Sequence, residues 1–148
     1  MTEYDEVEPT CTTVRTIDPV MNHSECKTFV PILTVLVEYG NAPFLWLVDK
    51  PDEGGLGPNC CDGTYWDESF PMSEGLWRKF ADWAIEFDRT SFYSDDFDAS
   101  DWDWVAFHTR GLQLTRCLKE EVGDAYRVIY YKPCEDPNHR IDERMEVF

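Results

Sequence analysis

Basic residues are scarce in this 148-residue chain: 13 Lys and Arg stand against 30 Asp and Glu, leaving a formal net charge of −17 and a pI near 4.3. Affinity for phosphate backbones and anionic lipid rests on Lys and Arg that release counterions or meet negative head groups. A chain so short of them is expected to bind neither nucleic acid nor an anionic membrane surface. Long apolar runs are missing too. The longest, Phe29 to Val37 (FVPILTVLV), falls far below the ~18 to 20 residues that a membrane helix needs. The opening MTEYDEVEPT carries neither the basic nor the apolar region of a secretory signal, so the expectation is a cytoplasmic protein. In that compartment the six cysteines (Cys11, Cys26, Cys60, Cys61, Cys117, Cys134) read as reduced thiols rather than as a disulfide framework.

Motifs that would carry chemistry are equally thin. There is no C-x-x-C pair, and the remaining zinc candidates are Cys60-Cys61, Cys134 with His139 in CEDPNH, His108 and His23. Adjacent cysteines fit poorly around one tetrahedral ion. The glycine-rich DEGGLGPNCCDG lacks the G-x-x-x-x-G-K-[ST] pattern and is itself acidic, which makes it a poor phosphate cradle; G-x-S-x-G is absent. Cys60 as a nucleophile with His108 as its base would need an electropositive setting to lower the thiol pKa, and nothing nearby supplies one. His108 itself reads as a half-buried helix residue. No cofactor and no metal are expected.

Against these absences stand a hydrophobic fraction of 43% and an aromatic fraction of 15%, including six Trp, enough apolar surface to drive folding. Residues 1–27 are polar and weakly periodic and read as an acidic amino-terminal arm that packs in part on the rest; residues 28–148 read as a single α+β domain. Thr28 to Tyr39, GNAP and Phe44 to Lys50 form a predicted hairpin. Its first run is apolar at both parities, as in a strand covered on both faces. Residues 51–72 form a long loop, with a short strand expected at Thr64 to Trp66. Ser73 then caps a helix whose stripe is Leu76, Trp77, Phe80, Trp83, Ala84 and Phe87. Trp104, Phe107, Leu114, Leu118 and Val122 recur at helical spacing in a second helix closed by Gly123, and Gly111 within it implies close approach of a neighbouring element. A strand at Tyr126 to Tyr131 ends before Pro133, and RMEVF offers a further edge strand. The order β-β-α-α-β-(β) predicts a two-layer α+β sandwich, with two helices on one face of a small mixed or antiparallel sheet.

Between the helices lies SFYSDDFDASDWDW, residues 91–104, with five aspartates and no Lys or Arg. It is not a calcium loop of the EF-hand kind. From Asp96, Asp101 stands where a Gly turn is required and Phe107 where a Glu should be. A pair of catalytic carboxylates cannot be singled out in so acidic a chain, and a solvated acidic face is the plainer reading. Aromatic rings enrich the cores of interfaces while carboxylates at the rim steer a basic partner. The candidate contact residues are therefore Asp95, Asp96, Asp98, Asp101 and Asp103, with Trp102 and Phe97 as anchors. Phe92, Phe97, Trp102 and Trp104 can also serve as core residues closing over the helices.

Three patterns carry a resemblance: S-E-x-L-x-x-x-F-x-x-W-x-x-x-F from Ser73, F-x-x-x-G-x-x-L-x-x-x-L-x-x-E-x-G from Phe107, and Y-x-V-x-Y from Tyr126. On these patterns the chain resembles small acidic bacterial immunity proteins of polymorphic toxin systems, of the contact-dependent growth inhibition and Rhs kinds. The acidic arm and the six cysteines depart from that pattern. The resemblance implies a non-enzymatic cytoplasmic protein that binds a cognate basic toxin domain, often a nuclease. Two other readings stay open on the residues alone: a hydrolase or metal enzyme using carboxylates or Cys60 and Cys61, and a nucleic-acid mimic that binds a host DNA-binding protein.

Overall fold

The computed structural model describes residues 12–14, 29–90, 98–138 and 143–148. Their strands form one six-stranded sheet in the order β1-β6-β5-β2-β3-β4, with β1 Thr12–Val14, β2 Ile32–Val35, β3 Leu45–Val48, β4 Asn59–Cys61, β5 Arg127–Tyr131 and β6 Arg144–Val147. β2 and β3 pair antiparallel as a hairpin, Ile32 opposite Val48 and Val35 opposite Leu45. The connection turns at Gly40, Asn41 and Ala42, all at positive φ (93°, 62° and 52°). Asn accepts the left-handed region readily; Ala does so at a cost, which the burial of its methyl helps to offset.

β2 and β5 run parallel, so the sheet is mixed. A parallel pair requires a long crossover, and here it contains both helices. Leu33, Val35, Leu45, Val128, Tyr130 and Met145 belong to the core shared with the helices. The alternate positions Thr34, Val48, Ile129 and Glu146 are buried as well, so the central strand β2 is covered on both faces, as its unbroken apolar run implies. On this second face Glu146 accepts two bonds from Arg127 (Nε 3.0 Å, Nη2 2.8 Å), which hold the guanidinium pKa above its ordinary value.

Two expectations need correction. The strand after the hairpin lies at Asn59–Cys61, not at Thr64 to Trp66, where Thr64 instead closes a turn on the Asp62 carboxylate. The NCC strand has no strong β-former other than its pairing partner: β3 offers an open edge, and Asn59 Nδ2 bonds Leu45 O (2.8 Å) and Cys61 O (2.9 Å) across a register shift between Leu45 and Trp46. The carboxy-terminal strand β6 is also not an edge, because β1 pairs with it on the far side from β5. β1 lies within the segment set apart above as an arm.

The helices follow the sequence closely. α1 spans Glu74–Asp88, capped by Ser73 Oγ, which accepts from Leu76 N. Its apolar stripe meets the sheet and α2, with Phe44 stacked on Phe80 (centroids 4.9 Å) and Trp83 on Phe107 (4.6 Å). α2 spans Trp104–Val122 and runs antiparallel to α1, since Ser73 N and Oγ both donate to Glu121 (2.7 Å each). Gly111 sits where α2 crosses both neighbours. A methyl there would lie 2.5 Å from Trp83 of α1 and 2.7 Å from the ring of Tyr130 of β5, so only Gly permits the approach.

Candidate partner-binding site

Asp95, Asp96 and Phe97 lie outside the described residues. From Asp98 the chain makes a short 3-10 turn, Ala99–Asp101, before α2 begins. Asp98 Oδ1 accepts from the backbone N–H of Ser100 (3.0 Å) and from its hydroxyl (2.8 Å), and these bonds hold the carboxyl below its ordinary pKa. Asp103 caps α2, its Oδ1 accepting from Ala106 N at 3.0 Å. Asp98, Asp101 and Asp103 are all exposed.

The rings divide differently. Trp104 and Phe107 are buried, and Trp104 Nε1 donates back to Ala99 O (2.7 Å), which pins the turn to the helix. Trp102 is half-buried: its ring leans on Phe107 (4.7 Å) and meets Trp104 edge-on (4.8 Å). The four consecutive residues Asp101 to Trp104 thus alternate between charge in water and ring against the core. Beside them opens a cleft of about 290 Å³ between α1 and α2. Trp83, Trp102, Ala106 and Phe107 form its apolar lining, and Glu86, Asp103 and Arg110 its polar one. Trp83 Nε1 is satisfied by Phe107 O (3.0 Å), so the floor presents ring surface rather than an open donor. Close to this mouth Val105 is 78% exposed, an isolated apolar side chain on the outer face of α2. Sequence spacing alone named Trp102 and Asp103; Glu86 and Arg110 join them only because α1 and α2 pack antiparallel.

A second polar cluster sits on the inner side of α2. His108 Nδ1 is 2.7 Å from the Tyr130 hydroxyl, and Nε2 is 2.7 Å from Asp136 Oδ2. Burial and the nearby Asp136 charge push the Tyr130 phenol well above its ordinary pKa, so it is an O–H donor to Nδ1. Nε2–H then donates to Asp136, and Asn138 N–H donates to the other carboxylate oxygen (2.8 Å). Burial lowers the His108 pKa more than the Asp136 hydrogen bond raises it, so the ring is neutral at pH 7. An Asp, a His and a hydroxyl in series resemble a proton relay, but the terminal hydroxyl is wholly buried and no substrate can reach it. The trio works as a polar rivet joining α2, β5 and the 133–138 turn. Asp136 was not singled out by sequence, which offers no local signal that this one of 30 acids points inward.

Cys60 and Cys61 bring their sulfurs to 3.7 Å, and the buried Cys61 thiol is pushed above its ordinary pKa while the bond from Cys61 lowers that of Cys60. The Cys60–His108 couple does not form, since both imidazole nitrogens are already engaged. Among the described residues no group of three or more His, Cys, Asp and Glu is arranged to hold a metal ion, and no helix is long and apolar enough to cross a membrane.

A model of the family described as Serratia CdiI immunity protein-like matches residues 32–133. The match spans more than half of the chain, from the first residue of β2 to just beyond β5, and takes in both helices and the cleft; the chain belongs to this family. No curated protein and no solved structure matches.

Proposed function

We propose, from membership of the Serratia CdiI immunity protein-like family, that this protein is a non-enzymatic inhibitor that binds a cognate basic toxin domain, of the nuclease kind, and covers its active face in the cytoplasm. The family match carries the reading. The charge of −17 supports a basic partner, because complementary fields raise association rates by about 10- to 1,000-fold. The exposed carboxylates of Asp98, Asp101 and Asp103 around a half-buried Trp102 support the helix connection as the contact surface, with Asp95, Asp96 and Phe97 beside them in sequence. Neither nucleic acid nor membrane enters this reading.

The hydrolase alternative gains no support from the arrangement of its candidate groups. Cys60 has Cys61 rather than a base beside it, and the His108 trio has no open reactive atom. The test is direct: the purified protein is mixed with the toxin domain encoded beside it, and co-expression is scored for growth protection. Stable binding with protection is expected; neither binding nor protection sinks the reading. Association should also slow several-fold from low to high salt. A salt-independent on-rate would remove the steering role assigned to the aspartates.

A further inference from the structure

The cleft between α1 and α2 is built to take one side chain rather than to offer a flat patch. Its floor is the ring surface of Trp83, Trp102 and Phe107, and its rim carries Glu86 from α1 and Asp103 from α2. Aromatic faces and carboxylates select for the same ligand, since both place negative potential where the occupant sits. Asp103 commits one oxygen to its helix cap, and among the described residues neither Glu86 nor Asp103 is engaged in an ion pair. Asp98 and Asp101, exposed in the turn that leads into Asp103, add negative charge close by in the chain. A volume of about 290 Å³ is roomy for a single long side chain and too small for a folded element.

We propose that this cleft anchors an arginine or lysine side chain of the toxin, its cation lying over the aromatic floor between Glu86 and Asp103. The proposal rests on the immunity reading above and specifies its contact. Arg110 lines the same cleft and, among the described residues, is the one like charge the incoming cation meets there. It disfavours a cation unless the two carboxylates outweigh it, and this gives the proposal a signed test.

Three variants are compared with the wild-type protein for affinity to an inactivated toxin domain encoded beside it, at constant ionic strength. Glu86→Gln with Asp103→Asn removes both charges and keeps the cap, because Asn caps as well as Asp. Binding should weaken by about ten-fold or more, as for desolvated charge pairs at an interface. Arg110→Ala should tighten binding by about two- to five-fold, since a repelling charge has gone. Arg110→Glu should tighten it further. If the wild type does not bind, the immunity reading fails and this proposal with it. If the wild type binds but the double variant binds equally well, only the cleft proposal is overturned. Weaker binding by Arg110→Ala also overturns it, because Arg110 then assists the occupant instead of repelling it. Thermal unfolding of each variant checks that the fold is kept.

Discussion

Asp103 and Asp136 belong to the two ends of one polar geography around α2, and their environments are opposite. Asp103 stands in water at the start of the helix, with one oxygen bonded to a backbone N–H. Asp136 is 4% exposed, with one oxygen on His108 and the other on Asn138. The first can lose its charge at little cost to folding, and so is free to serve a partner. The second cannot, because its removal leaves the largely buried His108 Nε2–H without an acceptor. The aspartate proposed for recognition and the aspartate that serves stability are the same amino acid, and burial tells them apart.

The contrast breaks most sharply at the inner cluster. Asp136→Ala should destabilise the protein by about 3 kcal/mol, since the largely buried His108 Nε2–H loses its acceptor and the turn at Asn138 loses its tie to the carboxylate. Chemical denaturation measures this, and a loss below about 1 kcal/mol would mean that the rivet carries little. Gly111→Ala should cost about 2 to 3 kcal/mol by overpacking against Trp83 and Tyr130. A variant with an unchanged melting temperature would show that the rings yield easily.

Acidification probes the same cluster without mutation. His108 is held neutral by burial, its folded pKa lying below the ordinary value of 6.5. The stability it contributes is therefore complete above that ordinary value and is lost as the pH falls through the folded one, because the unfolded chain binds the proton first. Unfolding free energy measured between about pH 7.5 and 5.5 should fall more steeply for the wild type than for His108→Gln. Equal slopes would place the imidazole proton affinity at its unfolded value.

The outer end should respond least. Asp103→Ala should cost about 1 kcal/mol through the lost cap. Asp103→Asn should change stability by less than about 0.5 kcal/mol, leaving the charge effect to appear in toxin binding alone. A large stability loss in the Asn variant would erase the distinction between the two aspartates.

Much of the helical layer was legible in the residues. The stripe from Leu76 to Phe87, the Ser73 cap, the Gly123 stop and the tight place at Gly111 are all local signals, each readable within one or two helical turns. The sheet was legible in part. β2 and β3 announce themselves by apolar runs around GNAP, and β5 by RVIYY; β4 does not, because Asn59, Cys60 and Cys61 have little strand preference and pair only where β3 leaves an open edge. β6 looked like an edge because nothing in RMEVF indicates that β1, about 130 residues earlier, would lie against it. The mixed character of the sheet is likewise a matter of the long crossover between β2 and β5.

The candidate site shows the same division. Trp102 and Asp103 could be named from one acidic aromatic stretch, whereas Glu86 and Arg110 enter the cleft from elsewhere on α1 and α2. Sequence alone determined that the chain is strongly acidic, that it forms two amphipathic helices joined by aspartates and rings, and that it resembles immunity proteins. Tertiary structure decided which aspartate is buried, which tryptophan lines a cleft and which cysteine faces the core. The physical reason is range: helix periodicity and capping act over a few residues, while burial and strand pairing depend on segments that meet only when the whole chain has packed.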